Sequence, residues 1–320
     1  LETFGAIGGP AEWAPNEKVA LEVALGAAFG NARAMVTMKH VGLNVAADPL
    51  FTAAYTGAPG GLVVVVADDP GMASSQNEQD SRRYAIAAGL PVLEPANSQE
   101  AYSMTLEALE LAERWSLPIL LRLTTRVSHS KSMVVRQPPS EPPAVGFTRD
   151  IAGRVMIPGN ARRAHRRLRE KLGQVAAWAE TPGCGARLWP AASDGNSTLG
   201  IVANGIAVMH AREAEPSAAV LQVRMSHPTP IEAIRQFANS VDRCVVIEEG
   251  DPVLTDACRA AGIDVAAKPD VFRFGELNVA RVRRILAGDT SPEPAPPPGK
   301  PPQLCVGCPH RTVFNLLGEM

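Results

Sequence analysis

The run "GLVVVVA" (61–67) constrains the fold more than any other stretch: seven residues without a polar side chain, set between "GAPG" and "DDPG". An apolar run this short, rich in β-branched residues and bounded by turn formers, reads as a buried strand. It empties into "DDPGMASSQNEQD" (68–80), thirteen residues with four Asp or Glu and no Lys or Arg. Asp69-Pro70-Gly71 carries turn chemistry and the polar side chains after it offer hydrogen bonds, so the segment reads as a long polar loop at the end of a strand. Long loops of this kind are functional or floppy.

Helical and strand-like segments alternate around that strand. "NEKVALEVALGAAFG" (16–30) has helical spacing, "ARAMVTM" is strand-like, and "NVAADPLFTAAYT" is helical. "SQEAYSMTLEALELAERWS" (98–116) is a helix capped by Ser98 with Glu100 in its first turn, and it leads into the strand "LPILLRLTT". This β-α-β rhythm predicts a doubly wound α/β domain over 1–135. A second α/β unit spans 197–287, with strands at "TLGIVANG", "AAVLQVRM", "RCVVIEEG" and "IDVAAK" and helices at "GIAVMHAREA", "PIEAIRQFANSV" and "PVLTDACRAAG". Between them, 136–196 reads as a connector with one helix, and the basic cluster "RRAHRRLREK" (162–171) as a solvated helix face. A proline-rich linker (288–302) hands the chain to the opening of a further domain at 303–320.

At 46% hydrophobic and 20% charged residues, 320 residues bury a sizeable core, and a net charge of -2 argues against nucleic acid as the principal ligand. No apolar run reaches the ~18 residues of a membrane span and no leader pattern is visible, so a cytoplasmic location follows by default. Five cysteines form no disulfide framework. Cys305-Val306-Gly307-Cys308, with His310 beyond, could open a zinc site or a redox pair, but a fourth zinc ligand at ordinary spacing is missing. There is no Walker loop, no H-E-x-x-H and no G-x-S-x-G, and "GAPGG" misses the dinucleotide fingerprint.

Seven pieces in one order carry a resemblance: "NEKVALEVALGAAFGNARAMVTMKHVGLNVAADPL", "GLVVVVADDPGMASSQNEQDSRRYA", "PVLEPANSQEAY", "LPILLRLTTRVSHS", "VVIEEGDP", "FGELN" and "LCVGCPHRTVF". Together they resemble the large subunit of the indolepyruvate ferredoxin oxidoreductase family, within the thiamine diphosphate-dependent 2-oxoacid:ferredoxin oxidoreductases. The resemblance implies a pyrimidine-binding domain, then a transketolase C-terminal-like domain, then the start of a diphosphate-binding domain. It implies oxidative decarboxylation of aryl 2-oxoacids with coenzyme A to aryl acyl-CoA and carbon dioxide, electrons leaving through [4Fe-4S] clusters to ferredoxin. A small (beta) subunit is the implied partner, in a dimer of heterodimers. On this reading the sequence is a fragment: a substrate-facing loop precedes Leu1, and the ligands of Mg2+, diphosphate and the clusters follow Met320, so the chain alone is inactive and holds no metal itself. A non-catalytic assembly module of the same fold is the competing reading, and a transketolase-type or acetolactate-type enzyme a third.

The resemblance also implies site residues. Glu17 takes the place of the carboxylic acid against N1' of the aminopyrimidine, and the Ala, Leu and Gly face behind it would bury the carboxyl and raise its pKa. From the residues alone, Glu17 is a first-turn glutamate favourable to the helix dipole. Gln76, Asn77, Gln79 and Asp80 would line the site, and Arg82, with Arg83 as rival, would clasp the 2-oxoacid carboxylate; the plain alternative for either is a surface arginine. His40, after Lys39 at a strand end, and Thr125 and Arg126, ending another strand, share that sheet edge, although a histidine so placed is more often structural. Cys305, Cys308 and His310 would line the pocket and not ligate a cluster. Ala73 stands where the family usually has histidine and Val306 where it has proline.

Overall fold

The computed structural model describes residues 2–138, 140–142, 144–192, 198–293, 308 and 310–319. Residues 1–290 form one compact unit and 291–320 another. The strands of the first unit are β1 (Ala34–Lys39), β2 (Leu62–Asp68), β3 (Val92–Leu93), β4 (Ile119–Thr124), β5 (Ala186–Trp189), β6 (Leu199–Ala203), β7 (Ala219–Val223), β8 (Met225–His227) and β9 (Arg243–Ile247).

One sheet has the order β1-β2-β4-β3-β8, its first four strands parallel and β8 antiparallel at the edge. Leu62, Val63, Val64 and Val66 of β2 are buried, and so are Ile119, Leu120 and Leu121 of β4 beside them. Near-continuous burial along a strand means that both faces of the sheet are covered, which is why the run carries no polar alternation. The Glu17–Phe29 helix buries Leu21, Ala24, Leu25 and Ala28, the i, i+3, i+4, i+7 stripe of an amphipathic helix, and starts where the Asn16 side chain accepts a hydrogen bond from Val19 N.

The second sheet has the order β5-β7-β6-β9, with β5 antiparallel to β7 and the rest parallel. Its strands feed two separate cores by simple alternation. Ile201, Ala203, Val220, Val245 and Ile247 pack in one, while Val202, Leu221, Val223, Cys244 and Val246 pack in the other. Successive side chains of a strand point to opposite faces, so each face builds its own core.

Several segments depart from the sequence reading. The 136–196 connector, expected to hold one helix, carries a short helix (Ile151–Arg154), a long one (Pro158–Ala179) and β5. The long helix is integral to the first core: Leu168, Val175 and Ala179 are buried there, and Trp178 packs edge-on against Trp115. Its cluster of arginines does face solvent, since Ala164 and Leu168 occupy the inner side. The expected strand "IDVAAK" reduces to one bridge at Ala266, because its backbone reaches β9 at that residue alone. The Ser98–Trp115 helix is capped by Asn97, which accepts from Glu100 N, in place of Ser98. Among the described residues no helix is long and apolar enough to cross a membrane.

Leu168→Ala in the long helix is therefore expected to cost about 2–5 kcal/mol, the range for emptying a closed core site. Urea unfolding measures it; a loss under about 1 kcal/mol would place this helix outside the core.

Candidate functional site

Strands β1, β2 and β4 end together at Lys39, Asp68 and Thr124, the carboxyl edge at which open α/β sheets bind ligands. The acidic loop that follows β2 is tied down there by its own carboxylates. Asp69 accepts from Ala73 N (3.1 Å), Ser74 N (2.9 Å), the Ser75 hydroxyl (2.7 Å) and the Thr125 hydroxyl (3.2 Å). Burial opposes its charge, but these donors outweigh it and hold its pKa below the usual carboxylate range. Thr125 thus braces the base of the loop. Glu78 accepts from Gly71 N (2.9 Å), and Lys39 Nζ donates to Ser74 O and Oγ. Gly71 has φ +81°, and a Cβ there would sit 2.6 Å from Gly275 Cα, so the loop lies backbone to backbone on the second half of the unit.

Between this loop and that second half lies a cleft of about 350 Å3. Gln76, Asn77, Gln79 and Asp80, expected from sequence, line it together with Met72, Arg122, Asp251, Arg273 and Phe274. Gln79 is oriented by three neighbours: it donates to Asn77 Oδ1 (2.9 Å) and accepts from Tyr84 OH (3.1 Å) and Asn44 Nδ2 (3.4 Å).

Asn44 belongs to the His40–Val45 helix, which connects the loop to Glu17. The Glu17 side chain lies directly over Gly42, where a Cβ would meet its Cγ at 2.6 Å and Oε1 at 2.8 Å. Glu17 is half-buried, less enclosed than the sequence suggested, because it stands at the first residue of its helix, with no preceding turn to cover it. Among the described residues its carboxylate takes no hydrogen bond. His40 does not reach the cleft; it is wholly buried, and neither ring nitrogen has a partner among the described residues.

Arg82 departs most from expectation. Its guanidinium is fully buried and committed to protein acceptors: Nε and Nη2 to Asp80, Nη1 to Glu248 (2.7 Å), and Nη2 also to Glu249 O and Asp251 O. Walled in and so committed, it cannot clasp a substrate carboxylate. Arg83 is half-exposed and pairs with Asp251 and Asp256. Beside Arg82, the equally buried Arg122 donates to Asp68 (2.6 Å) and Glu94 (2.6 Å), and Asn204 donates to Glu94 from the second half. Arg126 is exposed and paired with Glu276 (2.7 Å), away from the lining of the cleft. Cys308 and His310 are in the 291–320 unit, Sγ 3.6 Å from Nδ1, and Cys305 lies outside the described residues.

The cluster sets buried Arg82 and Arg122 and half-buried Lys268 against Asp68, Asp80, Glu94, Glu248 and Glu249, five carboxylates for three cations. Two of those carboxylates, Asp68 and Glu249, have pKa values raised, chiefly by burial; for Asp68 the pull of Arg122 is not enough to reverse it. Asp80 goes the other way: Arg82 and Arg122 together overcome the burial cost and depress its pKa. Sequence reasoning passed over Arg122, Asp68, Glu94 and Glu248, yet a signal existed in the charges set inside apolar strands, as in "ILLRLTT" and "VVIEEGD", since such charges are rarely buried unless paired.

Comparison with known proteins then bears on this arrangement. The family described as pyruvate flavodoxin/ferredoxin oxidoreductase, thiamine diphosphate-binding, matches residues 12–150. That stretch belongs to the family. It contains Glu17, the acidic loop, Arg82 and Arg122. The chain as a whole is a relative of indolepyruvate oxidoreductase subunits: it is 40% identical to subunit IorA of Methanothermobacter thermautotrophicus over 95% of this chain and 52% of that protein. To the same subunit of Archaeoglobus fulgidus it is 39% identical over 96% of this chain and 52% of the relative. The chain thus spans about half the length of the curated relatives it matches. In fold it is similar to a 2-oxoglutarate:ferredoxin oxidoreductase from Magnetococcus marinus solved with 2-oxoglutarate, coenzyme A and succinyl-CoA bound (TM-score 0.70, 17% identity, 90% of this chain and 58% of that one). It is also similar to a split-gene transketolase in an inactive beta4 tetramer (TM-score 0.51, 14% identity, 85% of this chain and 81% of that one). The α/β architecture of this chain is therefore one that it shares with both of those proteins.

Arg82→Ala is expected to cost about 3–5 kcal/mol of stability by leaving Asp80 and Glu248 buried without their cation. Denaturant unfolding reads the loss; an unchanged unfolding curve with a raised 2-oxoacid Michaelis constant would restore the clasp. Glu249 supplies a pH test. Its folded pKa is above the unfolded glutamate value of about 4.3, so the stability it contributes is fully present below that pH and is lost as pH rises through the folded value. Glu249→Gln removes the titration, and its melting temperature relative to the unsubstituted protein should climb as pH rises above about 4 and level off past the folded value. A difference independent of pH would contradict this.

Proposed function

We propose that this family member supplies the pyrimidine-binding half of a thiamine diphosphate-dependent 2-oxoacid oxidoreductase, with Glu17 as the acid that activates the cofactor. The observation that carries the proposal is half-buried Glu17, its carboxylate without a hydrogen-bond partner among the described residues, over the bare backbone of Gly42 and beside a sheet's carboxyl edge. A carboxylate so held fits the N1' position of an aminopyrimidine, whose proton it can accept and return. When bound, thiamine diphosphate supplies the carbon that attacks the 2-oxo group and takes up the electrons left by decarboxylation. The chain's own residues hold the proton at N1', shape the adjoining cleft and orient what enters it.

With Arg82 closed off, the arginine on the cleft wall that solvent reaches is Arg273, half-exposed and paired with Asp251 at 3.2 Å. Met72 and Phe274 offer exposed apolar surface beside it, suited to an aryl group, and Gln76, Asn77 and Gln79 offer amides. The relatives' names support indolepyruvate as substrate and a partner subunit. Coenzyme A as acyl acceptor, ferredoxin as electron acceptor, a dimer of heterodimers and a cytoplasmic location complete the proposal. Mg2+ and [4Fe-4S] ligands belong, on this reading, to the part of the relatives that this chain does not match.

Glu17→Gln in the full-length subunit with its partner keeps shape and helix but cannot relay the proton. Hydrogen-deuterium exchange at the cofactor C2, read by proton NMR after acid quench, is expected to slow by about 10² to 10⁴, or about 3 to 5 kcal/mol of barrier. A helix-terminal charge, or an assembly module without chemistry, predicts at most about 0.3–1 kcal/mol of lost stability and unchanged exchange.

A further inference from the structure

Gly42 occupies the middle of the His40–Val45 helix and is buried. Its backbone lies outside the left-handed region that only glycine tolerates well, so its conformation does not call for glycine. Alanine would favour the helix more. What a Cβ would meet decides the matter: the three nearest atoms are Glu17 Cγ at 2.6 Å, Oε1 at 2.8 Å and Cδ at 2.9 Å. All three belong to one side chain, and that side chain is flexible. A methyl group here would meet the Glu17 side chain before any other atom, and that arm is what would have to move.

We infer that Gly42 is a positioning residue for Glu17, its missing side chain forming the seat on which the carboxylate arm rests. The inference builds on the role proposed for Glu17. The helix that carries Gly42 also carries Asn44, which donates to Gln79 of the loop, so the seat is held in register with the cleft as well.

The test is a double-mutant cycle in the full-length subunit with its partner, read by exchange at the cofactor C2 and by the near-ultraviolet circular dichroism of the bound cofactor's imino tautomer. Melting of the same assembly is followed in parallel. Gly42→Ala is expected to melt at or above the unsubstituted temperature, to slow exchange at least about tenfold and to weaken the imino band; Glu17→Gln with Gly42→Ala should match Glu17→Gln alone within about twofold, since both act through one group. Exchange within about twofold of the unsubstituted enzyme overturns the assignment, as do two effects that multiply. A melting temperature lowered by several degrees also overturns it, because the methyl would then be striking something that cannot move. Exchange that is slow in Glu17→Gln but normal in Gly42→Ala sinks the Gly42 assignment alone. Normal exchange in Glu17→Gln removes the role of Glu17, and the Gly42 assignment with it.

Discussion

The paired guanidinium groups of Arg82 and Arg122 are what the rest of the first unit depends on. Arg122 rises from β4 of one sheet, Arg82 from the helix after the acidic loop, and their acceptors include Glu248 and two backbone carbonyls that follow β9 of the other sheet. Two buried charges of this kind are costly unless their donors are used, and here the donors reach both halves. The cluster sets the separation of the two sheets and thereby the width of the cleft, whose floor includes Asp68, Asp80 and Arg122.

That floor also explains how an acidic loop becomes ordered. Asp68 accepts from Ser81 N, Ser81 Oγ and Arg122, and Asp80 caps the next helix while it pairs with Arg82, so both ends of the loop are anchored to the cluster. Asp69 and Glu78 fold the interior by accepting backbone N–H groups. The loop carries little apolar surface to bury, and charge-assisted hydrogen bonds replace packing as its source of order. The loop turns the amides of Gln76, Asn77 and Gln79 and the apolar side chain of Met72 to the cleft, beside the helix that seats Glu17.

Much of this architecture was legible in the residues because it rests on local periodicity. The run 61–67, the stripe Leu21, Ala24, Leu25, Ala28 and the alternation in β6 and β9 each state which face is buried before any tertiary contact is known. Short strands were not legible: β3 has two residues, β8 has three, and a pair joined antiparallel across the unit has no periodicity to detect. The family resemblance, in agreement with the sheet-edge rule, points to Gln76, Asn77 and Gln79, and those amides line the cleft.

By itself, then, the sequence determined the longer helices and strands, their α/β alternation and the acidic character of the loop, since these depend on spacing along the chain. Only the tertiary structure decided which charges face a ligand and which are walled in. Arg82 and Arg83 are neighbours in sequence and equal as cations, yet Arg82 is fully buried with its donors spent while Arg83 stands half in solvent. The partners that separate them, Glu248 and the carbonyls of Glu249 and Asp251, lie 166 to 169 residues away, a distance over which no local pattern carries information. The same holds for Glu17, whose carboxylate is positioned by the absence of a side chain at Gly42, a contact that exists only once the two helices are packed.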